Sequence, residues 1–283
     1  MDPSTAFVLA GGGSFGAVQV GMLRALAARG VRPDMVVGAS VGAINGAYFA
    51  GAPDDEGVTR LAELWCGLRR SEVFPLAWQG VLGLMGTRNF AIDPSGLRRL
   101  LENHLPYERL EQARVPVHVV ATDLISGGTV RLSEGPVVDA VLASCAIPAV
   151  FPAVKLGERY LIDGAVASNT PISVAVELGA ARIIVLPTGY ACAIPGPPKS
   201  AVASALHAVT LLIAHQLLLE FKQYHTHTEI VTVPPLCPLE TSPYDFAHAR
   251  ALIERAAAQT EHWLDRGGLT RKWMPGALQT HTH

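Results

Sequence analysis

The sequence predicts an α/β protein built around a mainly parallel sheet. Three observations carry that expectation. From Ala6 to Ala50, short apolar runs alternate with segments of helical spacing, in the order strand, helix, strand, helix. Apolar residues make up 49% of the chain and charged residues only 16%, which suits a sheet buried on both faces. At 283 residues the chain can form one large α/β domain with a well-buried core.

Ala6-Phe7-Val8-Leu9-Ala10 reads as a fully buried strand, followed by a glycine loop from Gly11 to Gly16. Ala17 to Arg29 carry helical spacing through Val18, Met22, Leu23 and Leu26, and Gly30 is placed to cap that helix. Met35 to Val37 form the second strand, and a helix of small residues runs from Val41 to about Ala50. A strand-helix-strand unit of this kind implies parallel strands joined by a right-handed crossover.

Residues 54–110 read as helical and irregular, with an apolar loop over 73–86 that contains Phe74, Trp78, Leu82, Leu84 and Met85. Further strands are expected at Val117 to Ala121, near Tyr160 to Ile162, at Arg182 to Leu186 and at Ile230 to Val233. Helices are expected over 137–145, 172–178, 201–221 and 245–265, and Tyr190 to Lys199 reads as a Pro/Gly-rich surface loop. There is no internal repeat and no low-complexity linker, so residues 1–266 are expected to form one domain. Residues 267–283 then make a loosely ordered tail.

Composition excludes several function classes. Lys and Arg total 22 against 24 Asp and Glu, a net charge of −2, so no basic excess points to a nucleic-acid partner. Cys66, Cys145, Cys192 and Cys237 are widely spaced with no C-x-x-C, which argues against a zinc cluster or disulfide framework and fits a reducing compartment. The N-terminus, Met1-Asp2-Pro3-Ser4, has no basic region of the kind that opens a secretory signal. Residues 136–154 contain Asp139, Pro148 and Pro152, and 201–219 contain His207, His215 and Gln216. Both read as parts of the domain, the second as a buried helix, rather than as membrane spans.

The chemistry centres on Gly38-Ala39-Ser40-Val41-Gly42. A G-x-S-x-G between a strand and a helix holds the serine hydroxyl exposed at a sharp turn, with the helix N-terminus directed at charge developing near it. Gly11, Gly13 and Gly16 formally match a dinucleotide fingerprint, but no acidic residue ends the second strand to hold a ribose, and Asp34 lies before that strand. The alternative is that the loop presents bare backbone N–H groups to the crevice that Ser40 shares.

A serine needs a base. None of the ten histidines stands out: His225 and His227 read as surface or packing, His207 and His215 as core, and His248 as locally bonded. Asp163, between the strand Tyr160-Leu161-Ile162 and the turn Gly164-Ala165, is the better candidate, with Asp123 in Ala121-Thr122-Asp123 as its competitor.

Gly11-Gly12-Gly13-Ser14-Phe15-Gly16, Gly38-Ala39-Ser40-Val41-Gly42 and Asp163-Gly164-Ala165, in that order, resemble the patatin-like phospholipases. Ala143-Ser144-Cys145-Ala146-Ile147-Pro148, Phe151-Pro152 and Asn169-Thr170-Pro171 extend the similarity. The resemblance implies a three-layer α/β/α fold and a Ser–Asp dyad: Ser40 as nucleophile, Asp163 as general base, and the N–H groups of Gly11, Gly12 and Gly13 as the oxyanion hole. It also implies a lipid ester substrate, no metal and no cofactor. The expected setting is cytoplasmic, with peripheral membrane contact to reach lipid.

Two positions depart from the family pattern. Phe15 stands where many relatives carry Arg or Lys, which removes a cation near the oxyanion loop, and Ala165 replaces a glycine. The apolar loop 73–86 has two readings, a cover that receives an acyl chain or ordinary core. An acyltransferase or thioesterase with the same dyad is the alternative within this chemistry, and a non-catalytic lipid- or nucleotide-binding protein is the alternative outside it.

Overall fold

The computed structural model describes residues 4–73, 92–189, 201–239, 241–242 and 245–270. Its strands are β1 (Thr5–Leu9), β2 (Met35–Ala39), β3 (Val117–Asp123), β4 (Thr129–Leu132), β5 (Val154–Leu156), β6 (Arg159–Asp163), β7 (Arg182–Leu186) and β8 (Glu229–Thr232). Its helices are α1 (Gly16–Ala28), α2 (Val41–Gly51), α3 (Asp55–Gly67), α4 (Arg70–Val73), α5 (Ser95–His104), α6 (Val137–Ser144), α7 (Ala165–Ser168), α8 (Ile172–Glu177), α9 (Ala201–Tyr224) and α10 (Ala249–Asp265).

Among the described residues the strands join in one sheet, in the order β5-β6-β3-β2-β1-β7-β8, with β4 also paired to β3. The pairs linking β3, β2, β1, β7 and β8 are parallel. Those of β3 with β4, β3 with β6 and β5 with β6 are antiparallel. The chain order reverses at β1, so the crevice of this sheet opens beyond the C-terminal ends of β1 and its neighbours.

Alternation along each strand divides the core in two. Phe7, Leu9, Val36, Val119, Ile184 and Val231 face α1, α2, α3, α5, α6 and α10. Ala6, Val8, Val37, Val120, Ile183, Val185 and Ile230 face α8 and α9. Helices therefore cover both faces, a three-layer α/β/α arrangement. Helix α1 is apolar on nearly every side because α10 and α3 cover it away from the sheet. It ends in a Schellman motif: Gly30 N–H donates to Ala27 O and Val31 N–H to Leu26 O, with Gly30 at a φ of 68°.

The sequence reading missed β4, β5 and the single turn α7. Both strands are short hairpin partners, Thr-Val-Arg-Leu and Val-Lys-Leu, with too few apolar residues to mark them. Pairing with β3 and β6 holds them in place instead. The reading of α9 as buried also needs correction. Leu217 and Phe221 are buried against the sheet, but His215, Leu211, Leu212 and Leu219 are exposed. Among the described residues no helix is long and apolar enough to cross a membrane. The loop from Tyr190 to Lys199, Phe74 to Gly86 of the apolar loop, Cys192, and the tail beyond Thr270 lie outside the described residues.

Candidate active site

Ser40 follows β2 at the turn into α2, with φ 52° and ψ −126°. A non-glycine residue at such a φ costs on the order of 1–3 kcal/mol, a strain that neighbouring structure must hold. The glycines of the motif make the turn feasible by close approach. A Cβ at Gly38 would lie 2.3 Å from the Gly42 carbonyl oxygen, and one at Gly42 would lie 2.2 Å from the Leu9 carbonyl oxygen.

The Ser40 hydroxyl donates to Asp163 Oδ2 at 2.7 Å. Sheet register explains how residues so far apart in sequence meet. On β3, Val120 pairs with Ala39 of β2 and with Arg131 of β4, one on each side. The next residue, Ala121, pairs with Val130 of β4 and with Asp163 of β6. Strand β6 therefore lies on the β2 side of β3, end to end with β2 and running against it. Ser40 leaves the tip of one strand where Asp163 ends the other. The sequence placed Asp163 at a strand end in the same crevice; the structure adds that this strand is antiparallel to β3.

Asp163 is buried, and its other oxygen, Oδ1, accepts the Ala165 N–H at 2.8 Å. Its backbone carbonyl accepts from the Thr122 hydroxyl at 2.8 Å. Burial pushes the Asp163 carboxyl up to about 6, opposed by hydrogen bonds from the Ala165 N–H and the Ser40 hydroxyl. A hydroxyl donating to a buried carboxylate is arranged to pass its proton to that carboxylate when the oxygen attacks an electrophile.

Asp123, the competing candidate, sits in the turn between β3 and β4. Its Oδ1 accepts the N–H groups of Ile125 and Ser126, which hold its carboxyl below the ordinary range. Among the described residues none of the histidines weighed from the sequence bonds to Ser40, and the side chain of His207 lies outside them. His225 stacks on Phe221, His248 pairs with Asp245, and His215 and His227 are exposed. The Ser40 hydroxyl therefore bonds to Asp163 and not to an imidazole.

The glycine loop lies against this pair. A Cβ at Gly11 would come within 3.1 Å of Ser40 Cβ. The loop is pinned by the Gly11 N–H to Asn169 O at 3.0 Å and by the Thr188 hydroxyl to Gly11 O at 2.7 Å. Gly11 thus has its N–H engaged, which corrects the expectation of three oxyanion donors. The N–H groups of Gly12 and Gly13 make no hydrogen bond among the described residues.

A buried polar network supports the loop from behind. Gln19 Nε2 donates to Ala10 O and Leu186 O, Asn45 Nδ2 donates to Gly16 O and Gln19 Oε1, and Trp65 Nε1 donates to Asn45 Oδ1. Satisfied networks of this kind fix one geometry. The sequence offered no signal for it, because Gln19 and Asn45 sit singly within apolar helices.

Ser40 and Gly13 open onto a cavity of about 100 Å³ between α2, α3 and α5. Its walls are almost wholly apolar, with Ile44, Leu61, Trp65, Leu97, Leu101 and Phe246 among them. Val73, the first residue of the apolar loop, contributes to the same wall. Phe15 is buried in the core on this face of the sheet.

Residues 7–176 match the family profile described as patatin-like phospholipase. The patatin-like phospholipase domain-containing protein 7 of Rattus norvegicus is 29% identical over 187 residues, covering 65% of this chain and 13% of that protein. An uncharacterized NTE family protein of Mycobacterium tuberculosis is 30% identical over 172 residues, covering 60% of this chain and 28% of that protein. The chain thus spans less than a third of the length of these curated relatives. Among solved structures, VipD from Legionella pneumophila gives a TM-score of 0.47 at 15% identity, covering 94% of this chain and 67% of that one.

Proposed function

The chain belongs to the patatin-like phospholipase family, and from that premise we propose that it is a serine hydrolase of lipid carboxylic esters working through an acyl-enzyme on Ser40. One observation carries the reading: the buried 2.7 Å bond from Ser40 Oγ to Asp163 Oδ2 at the mouth of an apolar cavity. The bond supplies the activated nucleophile, and the cavity supplies a place for an acyl chain.

In the first half-reaction Ser40 Oγ attacks the ester carbonyl carbon and its proton passes to Asp163 Oδ2. The N–H groups of Gly12 and Gly13 donate to the resulting oxyanion. Such donors act without reorganising and are each worth about 10²–10³ in rate. As the tetrahedral intermediate collapses, the C–O bond to the alcohol breaks, and Asp163 returns the proton to the departing oxygen. In the second half-reaction Asp163 takes a proton from water, the water oxygen attacks the acyl carbon, and the fatty acid leaves as Ser40 Oγ recovers the proton. A carboxyl near 6 suits both directions, being largely ionised at neutral pH yet closer to it than an ordinary aspartate.

The test is hydrolysis of a phospholipid and of p-nitrophenyl esters by wild type, Ser40→Ala and Asp163→Asn, with the products identified. Free fatty acid, formed by wild type and lost in both variants, supports the reading. Acyl transfer to an added alcohol in preference to water points to a transferase. Equal turnover by wild type and Ser40→Ala overturns the dyad.

A further inference from the structure

The turn at Ser40 raises a question of support. Its φ of 52° takes the residue out of the sheet, and its N–H precedes the helix, so neither element provides that N–H with an acceptor. The acceptor comes from α6: Ser144 Oγ receives the Ser40 N–H at 2.8 Å. The same hydroxyl donates its own proton to Val120 O at 2.5 Å, on the β3 residue that pairs with Ala39. Ser144 is fully buried, with 0% exposure, so the hydroxyl lies out of reach of bulk solvent.

The backbone of the same segment holds the other half of the site. Ser144 O accepts the Gly164 N–H at 3.1 Å, and Ala146 O accepts the Asp163 N–H at 3.0 Å. Residues 144–146 are therefore bonded on one side to the nucleophile's turn and on the other to the carboxylate's turn.

We propose that Ser144 is a positioning residue that sets the separation of Ser40 and Asp163, its hydroxyl gripping one turn while its carbonyl grips the other. This rests on the reading of Ser40 and Asp163 as a dyad. A hydroxyl is required because the position needs both an acceptor for the Ser40 N–H and a donor to Val120 O. Alanine supplies neither and leaves a buried N–H unpaired at a strained residue. The turn then relaxes, and Ser40 Oγ drifts from Asp163 Oδ2. A shift of a fraction of an ångström at a reacting pair is costly to rate and leaves the cavity that binds the acyl chain intact.

The experiment compares wild type, Ser144→Ala, Ser144→Thr and Ser40→Ala, with Ile230→Ala on the distant strand β8 as a control for lost stability. The readouts are kcat, KM, the rate of fluorophosphonate labelling and the pH profile of kcat/KM, each at a temperature where circular dichroism shows folded protein. The expected result for Ser144→Ala is a 10- to 100-fold loss in kcat and in labelling rate, with KM within about twofold. Its acidic limb moves to higher pH, because the Ser40 bond that lowers the Asp163 pKa is weakened. Ser144→Thr, which keeps the hydroxyl, returns most of the loss, and Ile230→Ala keeps the wild-type kcat and pH profile.

If Ser144→Ala does not fold, Ser144→Cys carries the same expectation in milder form, since sulfur accepts and donates weakly. Wild-type kcat and acidic limb in Ser144→Ala, with Ser40→Ala inactive, overturn the clamp and leave the dyad standing. An equal loss in Ile230→Ala also overturns it, by tracing the effect to stability. Wild-type turnover in Ser40→Ala overturns the dyad and the clamp together.

Discussion

Ala39 and Asp163 occupy consecutive rungs on the same side of β3, the first paired with Val120 and the second with Ala121. Two strands running in opposite directions thus meet tip to tip, and Ser40 leaves the sheet at their junction. A dyad needs only two side chains in contact, and the backbone register of the sheet brings them together. Gly164 reflects how tight the junction is, since a Cβ there would lie 2.1 Å from Val120 O and 3.3 Å from Ala39 Cβ.

The pH dependence of turnover follows from the burial of Asp163. As the proposed general base it must be ionised, and its carboxyl is raised to about 6. kcat/KM is expected to rise tenfold per pH unit below that value and to level off above it. Initial rates on a soluble ester between pH 4 and 8 check this. A profile already flat from pH 4 upward contradicts a raised Asp163.

The same carboxylate should cost stability. Its pKa is raised on folding from the ordinary value near about 3.9, so between roughly pH 4 and 6 the folded state binds more protons than the unfolded state. Stability due to this group is therefore full at low pH and falls as pH rises through that window, by about 2–3 kcal/mol in total. Asp163→Asn keeps an acceptor for the Ala165 N–H while removing the buried charge. It is expected to raise the melting temperature at pH 7.5 and to leave it nearly unchanged at pH 4. Calorimetric scans at the two pH values check the sign.

The cavity predicts a preference for long acyl chains. Each methylene buried contributes about 0.8 kcal/mol, or roughly three- to fourfold in kcat/KM, until the space is filled. Leu100 on α5 lines this space and is only partly buried, so a larger side chain fits there without wholesale repacking. Leu100→Trp should lower kcat/KM for a long-chain p-nitrophenyl ester about tenfold more than for the butyrate. An unchanged ratio in a folded variant sinks the assignment of this cavity to the acyl chain.

Much of the candidate site is legible in the sequence because its parts depend on special residues. Gly38 and Gly42 mark a turn that tolerates no Cβ, and Gly11 and Gly12 mark backbone packed beside it too closely for one. Asp163 was legible as a carboxylate at a strand end. The engagement of the Gly11 N–H was not, because it depends on Asn169, far along the chain. Nor was the hydroxyl of Ser144, which earned notice only as part of a resemblance. Among the elements, the buried parallel strands announced themselves by apolar runs, whereas β4 and β5 are held by pairing that local composition does not encode. His215 was misread as core because α9 is apolar on its exposed side as well as its buried side.

Activation of Ser40 by Asp163 is read from the reaction of the purified protein with a fluorophosphonate, with the modified peptide mapped by mass spectrometry, in wild type, Ser40→Ala and Asp163→Asn. One adduct is expected, on Ser40, absent in Ser40→Ala and formed at least about a hundredfold more slowly in Asp163→Asn. An adduct on another residue, or labelling of Asp163→Asn at the wild-type rate, contradicts it.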